Sequence, residues 1–160
     1  MTFFKRNKQL LSVCDGRCAP LSEIPDEAFS SGMLGEGVAI FPASNRFLSP
    51  VDGQVIAIAE SLHAYTLRAD DGTELLIHIG VDTVKLKGEG FRALVRAGDK
   101  IHAGAPLAEA ELGWIAQQGL STATALLITN PDEIEITERR FGSVTGGKTA
   151  VLSYRTVQKG

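Results

Sequence analysis

Glycine and proline recur every few residues from Leu10 onward, 17 Gly and 6 Pro in a chain of 160. Short apolar, β-prone runs fill the gaps, at 38–41, 54–59, 65–67, 75–79, 91–95, 125–129 and 150–154. Many short strands separated by turn residues predict an all-β fold, a compact antiparallel β-sandwich or barrel. Two stretches break the pattern. Pro25-Asp26-Glu27-Ala28-Phe29 has the proline and acids of a helix start. Residues 112–118 read as a second helix, ended by Gly119. Each is one or two turns long. Cys14-Asp15-Gly16-Arg17-Cys18 faintly echoes Val51-Asp52-Gly53-Gln54-Val55, as strand–turn units of one sheet would.

The length suits a single domain with a sizeable core, assigned to 10–160 behind a tail at 1–9. A net charge of −3 gives no reason to expect nucleic acid as a partner. No apolar run approaches the roughly 18–20 residues that span a bilayer, and the N-terminus lacks the apolar region of a signal peptide. Cys14 and Cys18 are therefore expected to be reduced thiols of a cytoplasmic protein. No nearby Cys or His completes a metal site with them. In the tail, Phe3, Phe4, Leu10 and Leu11 fit one side of a helical turn, with Lys5, Arg6 and Lys8 around them. That is a weak membrane-surface signature, and a frayed, solvated end has the same pattern.

Two of the three histidines, His63 and His78, flank Asp70-Asp71-Gly72. Asp tolerates turn conformations and Gly supplies positive φ, so the runs on either side predict a β-hairpin. A loop centred between Asp70 and Asp71 sets His63 directly opposite His78. Their Cβ atoms would then lie about 4.5–5.5 Å apart. Glu74, Leu76, Tyr65 and Leu67 would share that face. A three-residue loop with a bulge at Gly72 would shift the register by one and send the rings to opposite faces. His102, in a turn-rich segment with no partner motif, reads as a surface residue.

Two facing imidazoles are either a packed pair or a site, and the residues alone leave both open. As a site they suit three chemistries. A neutral imidazole can attack a phosphoryl donor and hold the group as a phosphoramidate. That requires one ring nitrogen to be fixed by a hydrogen bond, and Gly80 leaves room for a backbone carbonyl to do so. The second ring can then stabilise the phosphoryl oxygens. Zinc binding is a weaker option, because two His ligands are too few and only Asp82 stands near as a third. General acid–base work is the remaining one.

Several words match one family. They are Ile24-Pro25-Asp26 with Phe29, the run 32–40, Ser49-Pro50-Val51-Asp52-Gly53, His63-Ala64, and the block 74–91 centred on Leu76-Ile77-His78-Ile79-Gly80-Val81-Asp82-Thr83-Val84. Gly98-Asp99-Lys100, Ser121-Thr122 and Ile128-Thr129-Asn130 follow in order. The chain resembles the glucose-type enzyme IIA of the bacterial phosphoenolpyruvate-dependent sugar phosphotransferase system. The resemblance implies an antiparallel β-sandwich with very little helix, acting as a phosphotransferase component. His78 would receive a phosphoryl group on Nε2 from the histidine-containing phosphocarrier HPr. It would pass the group to a cysteine of a IIB domain, which phosphorylates an incoming sugar.

By the same resemblance His63 supports the transfer, with Gly80, Asp82 and Ser61 around it. Phe29, Val38, Ile40, Leu76, Ile79 and Val84 would form an apolar docking rim. No cofactor is required, though His63 and His78 would bind zinc where a regulated partner supplies a further ligand. An apolar and basic N-terminus would touch the membrane surface near the permease.

The chain departs from the family at three places. It lacks the proline usual near Leu11-Ser12-Val13-Cys14, has Ser61 where Thr is common, and has Thr124-Ala125 where Thr-Pro is common. A second function for the same fold is a regulatory module that docks on metabolic enzymes or transporters without phosphotransfer. Retention of both histidines argues for the carrier. A zinc endopeptidase of related fold would need a His-x-His pair, which is absent. A lipoyl or biotin carrier would need a lysine at the hairpin tip.

Overall fold

The computed structural model describes residues 2–4 and 7–159. Its strands are β1 (Thr2–Phe4), β2 (Lys8–Leu11), β3 (Gly16–Pro20), β4 (Glu36–Pro42), β5 (Arg46–Leu48), β6 (Gly53–Ile58), β7 (Ala64–Ala69) and β8 (Glu74–His78). They continue as β9 (Phe91–Ala93), β10 (Lys100–Ile101), β11 (Pro106–Ala110), β12 (Thr124–Ile128), β13 (Ile134–Arg139), β14 (Gly142–Val144) and β15 (Ala150–Lys159). Two short helices, α1 (Glu27–Ser30) and α2 (Leu112–Gln117), fall where proline, acid and glycine signals placed them. The protein is an all-β, antiparallel sandwich. Among the described residues no helix is long and apolar enough to cross a membrane.

The main sheet runs β10-β6-β7-β8-β12-β4-β3-β14, and every neighbouring pair is antiparallel. A second sheet carries β15 at its centre, between β13 on one side and β1 and β2 on the other. A third is β5-β11-β9. Side chains alternate across a strand. On the main sheet one set, Tyr65, Leu67, Leu75, Ile77, Leu126, Val38 and Ile40, is completely buried. It forms one core with Leu10, Leu152, Tyr154, Phe47 and Leu107 from the smaller sheets. Cys14 and Cys18 are free thiols within that core, and burial pushes them up to about 12 and about 11.

The opposite face positions the site. Ladder register puts Ala19, Ala39, Ala125, His78 and Ala64 in one row across five strands. Methyl side chains keep this row low, and the segment 21–30 packs onto it. Ile24 and Phe29 pack with Ala39, Ala125 and Leu127 in a second, smaller core. Asp26 caps α1 by accepting a hydrogen bond from the Ala28 N–H at 2.9 Å.

Two expectations are corrected here. The helical turn read across the tail is replaced by strands. β1 pairs with β15, and β2 carries Leu10 into the core with no exposed surface. Ordered structure thus reaches past the expected boundary at residue 10. Met1, Lys5 and Arg6 lie outside the described residues.

The hairpin register is the second correction. Ala64, not His63, pairs with His78. The loop holds three residues, Asp70-Asp71-Gly72, closed by the Ala69 N–H on the Thr73 carbonyl at 2.8 Å. Gly72 takes the left-handed position at φ +89°. The Asp71 carboxylate fixes this choice. It accepts from the Thr73 N–H at 3.0 Å and from the Tyr154 hydroxyl at 2.9 Å. Tyr65 and Leu67 therefore face the core with Ile77 and Leu75. Ala64, Thr66 and Arg68 share the face of His78.

Candidate functional site

His78 ends β8, and His63 immediately precedes β7. The shifted register would separate them if His63 obeyed strand alternation. It lies outside the strand, and the rings meet with centroids 4.9 Å apart at an interplanar angle of 81°. The backbone joins the two segments as well, through the Ile79 N–H donating to the His63 carbonyl at 2.8 Å.

His78 is half-buried, and its two nitrogens are unequal. Nδ1 lies 2.8 Å from the Gly80 carbonyl oxygen, which accepts only. The proton must then sit on Nδ1, and Nε2 keeps its lone pair. Gly80 makes this carbonyl available by adopting φ +81°. A Cβ there would strike the Thr83 methyl and come within 3.0 Å of the Ser121 carbonyl oxygen. Thr83 braces the same turn, its hydroxyl donating to the Ile79 carbonyl at 2.6 Å. The Phe29 ring lies 4.7 Å from the His78 ring, tilted by 54°.

Burial holds His78 below its ordinary 6.5, and the His63 ring adds to the shift. The Gly80 hydrogen bond and the charges of Asp26 and Asp82 oppose it. His63 is also held below 6.5 by burial, opposed by the Ser61 backbone. Its Nδ1 is buried without a partner in hydrogen-bonding geometry among the described residues. Both rings are thus neutral near pH 7, the form a nucleophile needs.

The same shifts make stability depend on pH. Protons bind the unfolded imidazoles first, so stability from the neutral pair is full above about 6.5 and falls as pH drops toward the depressed folded values. Urea midpoints measured between about pH 7.5 and pH 5 are expected to fall, while a flat or rising profile contradicts the depressed values.

The other expected site residues separate. Ser61 lies in the β6–β7 connection, near His63 only through its backbone. Asp82 is exposed, at φ +60°, with its carboxylate 3.9 Å from Lys85 Nζ. The docking rim needs revision. Val38, Ile40 and Ile79 are 0–1% exposed in the main core, and Phe29 is 5% exposed beneath the site. None of these four can meet a partner as a surface residue. Leu76 is half-buried and Val84 is 54% exposed. The large apolar side chains that do face solvent also include Met33 and Leu34, just beyond α1, and Phe141. His102 is exposed, as expected, with Nδ1 3.7 Å from Asp52.

Sequence reasoning missed two features. Phe29 was assigned to a surface, whereas it buttresses His78. Asp26, read as part of a helix start and of the Ile24-Pro25-Asp26 word, also acts on His78 through its charge. As for a metal, no group of three or more His, Cys, Asp or Glu comes together among the described residues. The pair alone supplies half of a tetrahedral set and does not make a zinc site.

Comparison with known proteins identifies the family. The family described as "phosphoenolpyruvate-dependent sugar phosphotransferase system, EIIA 1" matches residues 8–134. A glucose-specific EIIA component from Oceanobacillus iheyensis is 40% identical over 138 residues, covering 86% of this chain and 84% of that protein. A glucose-specific EIICBA component from Staphylococcus saprophyticus is 43% identical over 131 residues, covering 82% of this chain. The chain spans only 19% of that longer relative. Among solved structures, the glucose permease IIA from Mycoplasma capricolum superposes with a TM-score of 0.89 at 35% identity, covering 96% of this chain and 99% of that one. A match over most of the length, in sequence and in fold, shows that the chain belongs to the EIIA 1 family of the phosphoenolpyruvate-dependent sugar phosphotransferase system.

Proposed function

We propose that His78 is the phosphoryl acceptor of this EIIA component and that His63 assists the transfer. The observation that carries this reading is the Nδ1 to Gly80 carbonyl contact of 2.8 Å, which presents Nε2 as a neutral nucleophile. In the step, the Nε2 lone pair attacks phosphorus, the bond from phosphorus to the donor breaks, and the proton stays on Nδ1, hydrogen-bonded to the Gly80 carbonyl. Phosphorylated His78 then carries positive charge on its ring, which that carbonyl stabilises. The His63 ring, 4.9 Å away, is placed to donate a hydrogen bond to the phosphoryl oxygens as charge builds.

The donor is phospho-HPr and the recipient a cysteine thiolate of a IIB domain. The family's place in the sugar system supports both, as do relatives named EIICBA, in which EIIA forms part of a longer chain. Asp26 and Asp82, whose charges reach His78, favour the cationic ring of the phosphorylated state.

The test is reconstitution with phosphoenolpyruvate, the first enzyme of the system and HPr. One acid-labile phosphoryl group per chain is expected, with a phosphorus resonance typical of Nε2-phosphohistidine. His63→Gln should still accept the group while passing it on at least roughly tenfold more slowly, because it loses transition-state support rather than the nucleophile. Equal onward rates for the two proteins would remove His63 from the mechanism.

A further inference from the structure

We infer that Leu62 is a positioning residue for His63, holding its imidazole at His78 through a left-handed backbone that the side chain anchors. The inference rests on the carrier function above.

The connection between β6 and β7 is tight. The Ala59 N–H donates to the Ala64 carbonyl at 2.9 Å, and the Leu62 N–H donates to the Ala59 carbonyl at 2.8 Å. After such a turn a chain needs one left-handed residue to re-enter the strand, a place usually held by glycine or asparagine. Here it is Leu62, at φ +61°. Leucine is poorly suited to that conformation, and outliers of this kind persist where the surroundings over-determine them.

The surroundings of Leu62 do so. Its side chain is half-buried and packs on the main core. Its Cδ1 lies over Gly88, 4.0 Å from where a Cβ of that residue would stand. Leu62 thus ties the turn before His63 to the 83–90 segment beyond the site.

The anchor matters because the other groups that meet the His63 ring, the His78 ring and the Ser61 backbone, aim it only if the turn carries it to them. Among the described residues Nδ1 has no partner in good hydrogen-bonding geometry, and His63 as a whole is 7% exposed. Its direction therefore follows from the backbone on either side. Downstream, the His63 carbonyl is held by the Ile79 N–H at 2.8 Å. Upstream, the hold is Leu62. An αL residue without an anchor leaves the upstream torsions free to move the ring away from the phosphoryl position.

The test measures acceptance and onward transfer separately in Leu62→Gly, Leu62→Ala and Leu62→Met, each with and without His63→Gln. Leu62→Gly tolerates the left-handed conformation and lacks the anchor. Leu62→Met restores a flexible apolar chain. All are expected to accept one phosphoryl group on His78. Leu62→Gly and Leu62→Ala should slow onward transfer roughly tenfold, and Leu62→Met should recover most of the rate. In the His63→Gln background the same changes should have almost no further effect, because a misaimed ring and a missing one fail alike. Nitrogen-15 imidazole spectra of Leu62→Gly should shift the His63 signals more than those of His102.

If the slowing is equal with and without His63, Leu62 contributes only general stability and the inference fails. It also fails if neither Leu62→Gly nor Leu62→Ala slows transfer. Should the Gly and Ala variants not fold, slow transfer in folded Leu62→Met that vanishes with His63→Gln supports the inference, and unchanged transfer there rejects it. Failure of the carrier function itself would appear differently, as no labelling of the unmodified chain.

Discussion

His78→Ala is expected to accept no phosphoryl group at all. His63 is the nearest imidazole, but its Nδ1 is buried and its ring lies edge-on to His78. The fold should survive, because His78 is half-buried at the end of β8 and its neighbours Ala64 and Ala125 are small. Loss of labelling together with an unchanged urea midpoint would therefore report chemistry alone. Normal labelling of this variant would disprove the assignment, and labelling shifted to His63 would show that the two rings are interchangeable.

Gly37→Ala should give the largest loss of stability among single-methyl additions at the centre of the main sheet. Gly37 faces Leu127 across β4 and β12. A Cβ there would fall on the Leu126 carbonyl oxygen and within 3.0 Å of the Leu127 Cα. These obstacles are backbone atoms of the paired strand, so no rotamer change relieves them. A cost of about 3 kcal/mol is expected, at the upper end for overpacking. With a urea slope of about 2 kcal/mol per M, the midpoint should fall by roughly 1.5 M. Gly113→Ala, in α2, provides the contrast. Nothing lies within 4 Å of its Cβ position, and the φ is ordinary. There alanine should stabilise the chain by about 0.5–1 kcal/mol, through helix propensity. Equal effects at the two sites would show that strand contact at Gly37 is looser than described.

The contrast between those glycines is mirrored in what the sequence revealed. Strands and short helices were legible, because turn residues bound them and the apolar runs between are β-prone. The faces of β4 were not. Val38, Ala39, Ile40 and Phe41 form an unbroken apolar run, and a strand covered on both sides shows no alternation. Taking Val38 and Ile40 as surface therefore chose the wrong parity. The hairpin register escaped for another reason. Local turn rules allow the three-residue loop but do not choose it; Asp71 meets Tyr154, 83 residues away in the chain, as well as the Thr73 N–H. The meeting of the two histidines was anticipated for a reason that does not hold. They meet because His63 stands outside the strand, after a left-handed leucine that no propensity scale would favour there.

The buried cysteines acquire a meaning from the proposed recipient. If the phosphoryl group leaves for a thiolate on another domain, sulfur is the competing nucleophile within the carrier itself. Cys14 and Cys18 have 0% and 1% of their surface exposed, and burial pushes their thiols up to about 12 and about 11. At neutral pH both remain protonated, walled off and unreactive. The core thus keeps both of the chain's thiols protonated and out of reach, so under the proposed transfer the accepting thiolate comes from another domain.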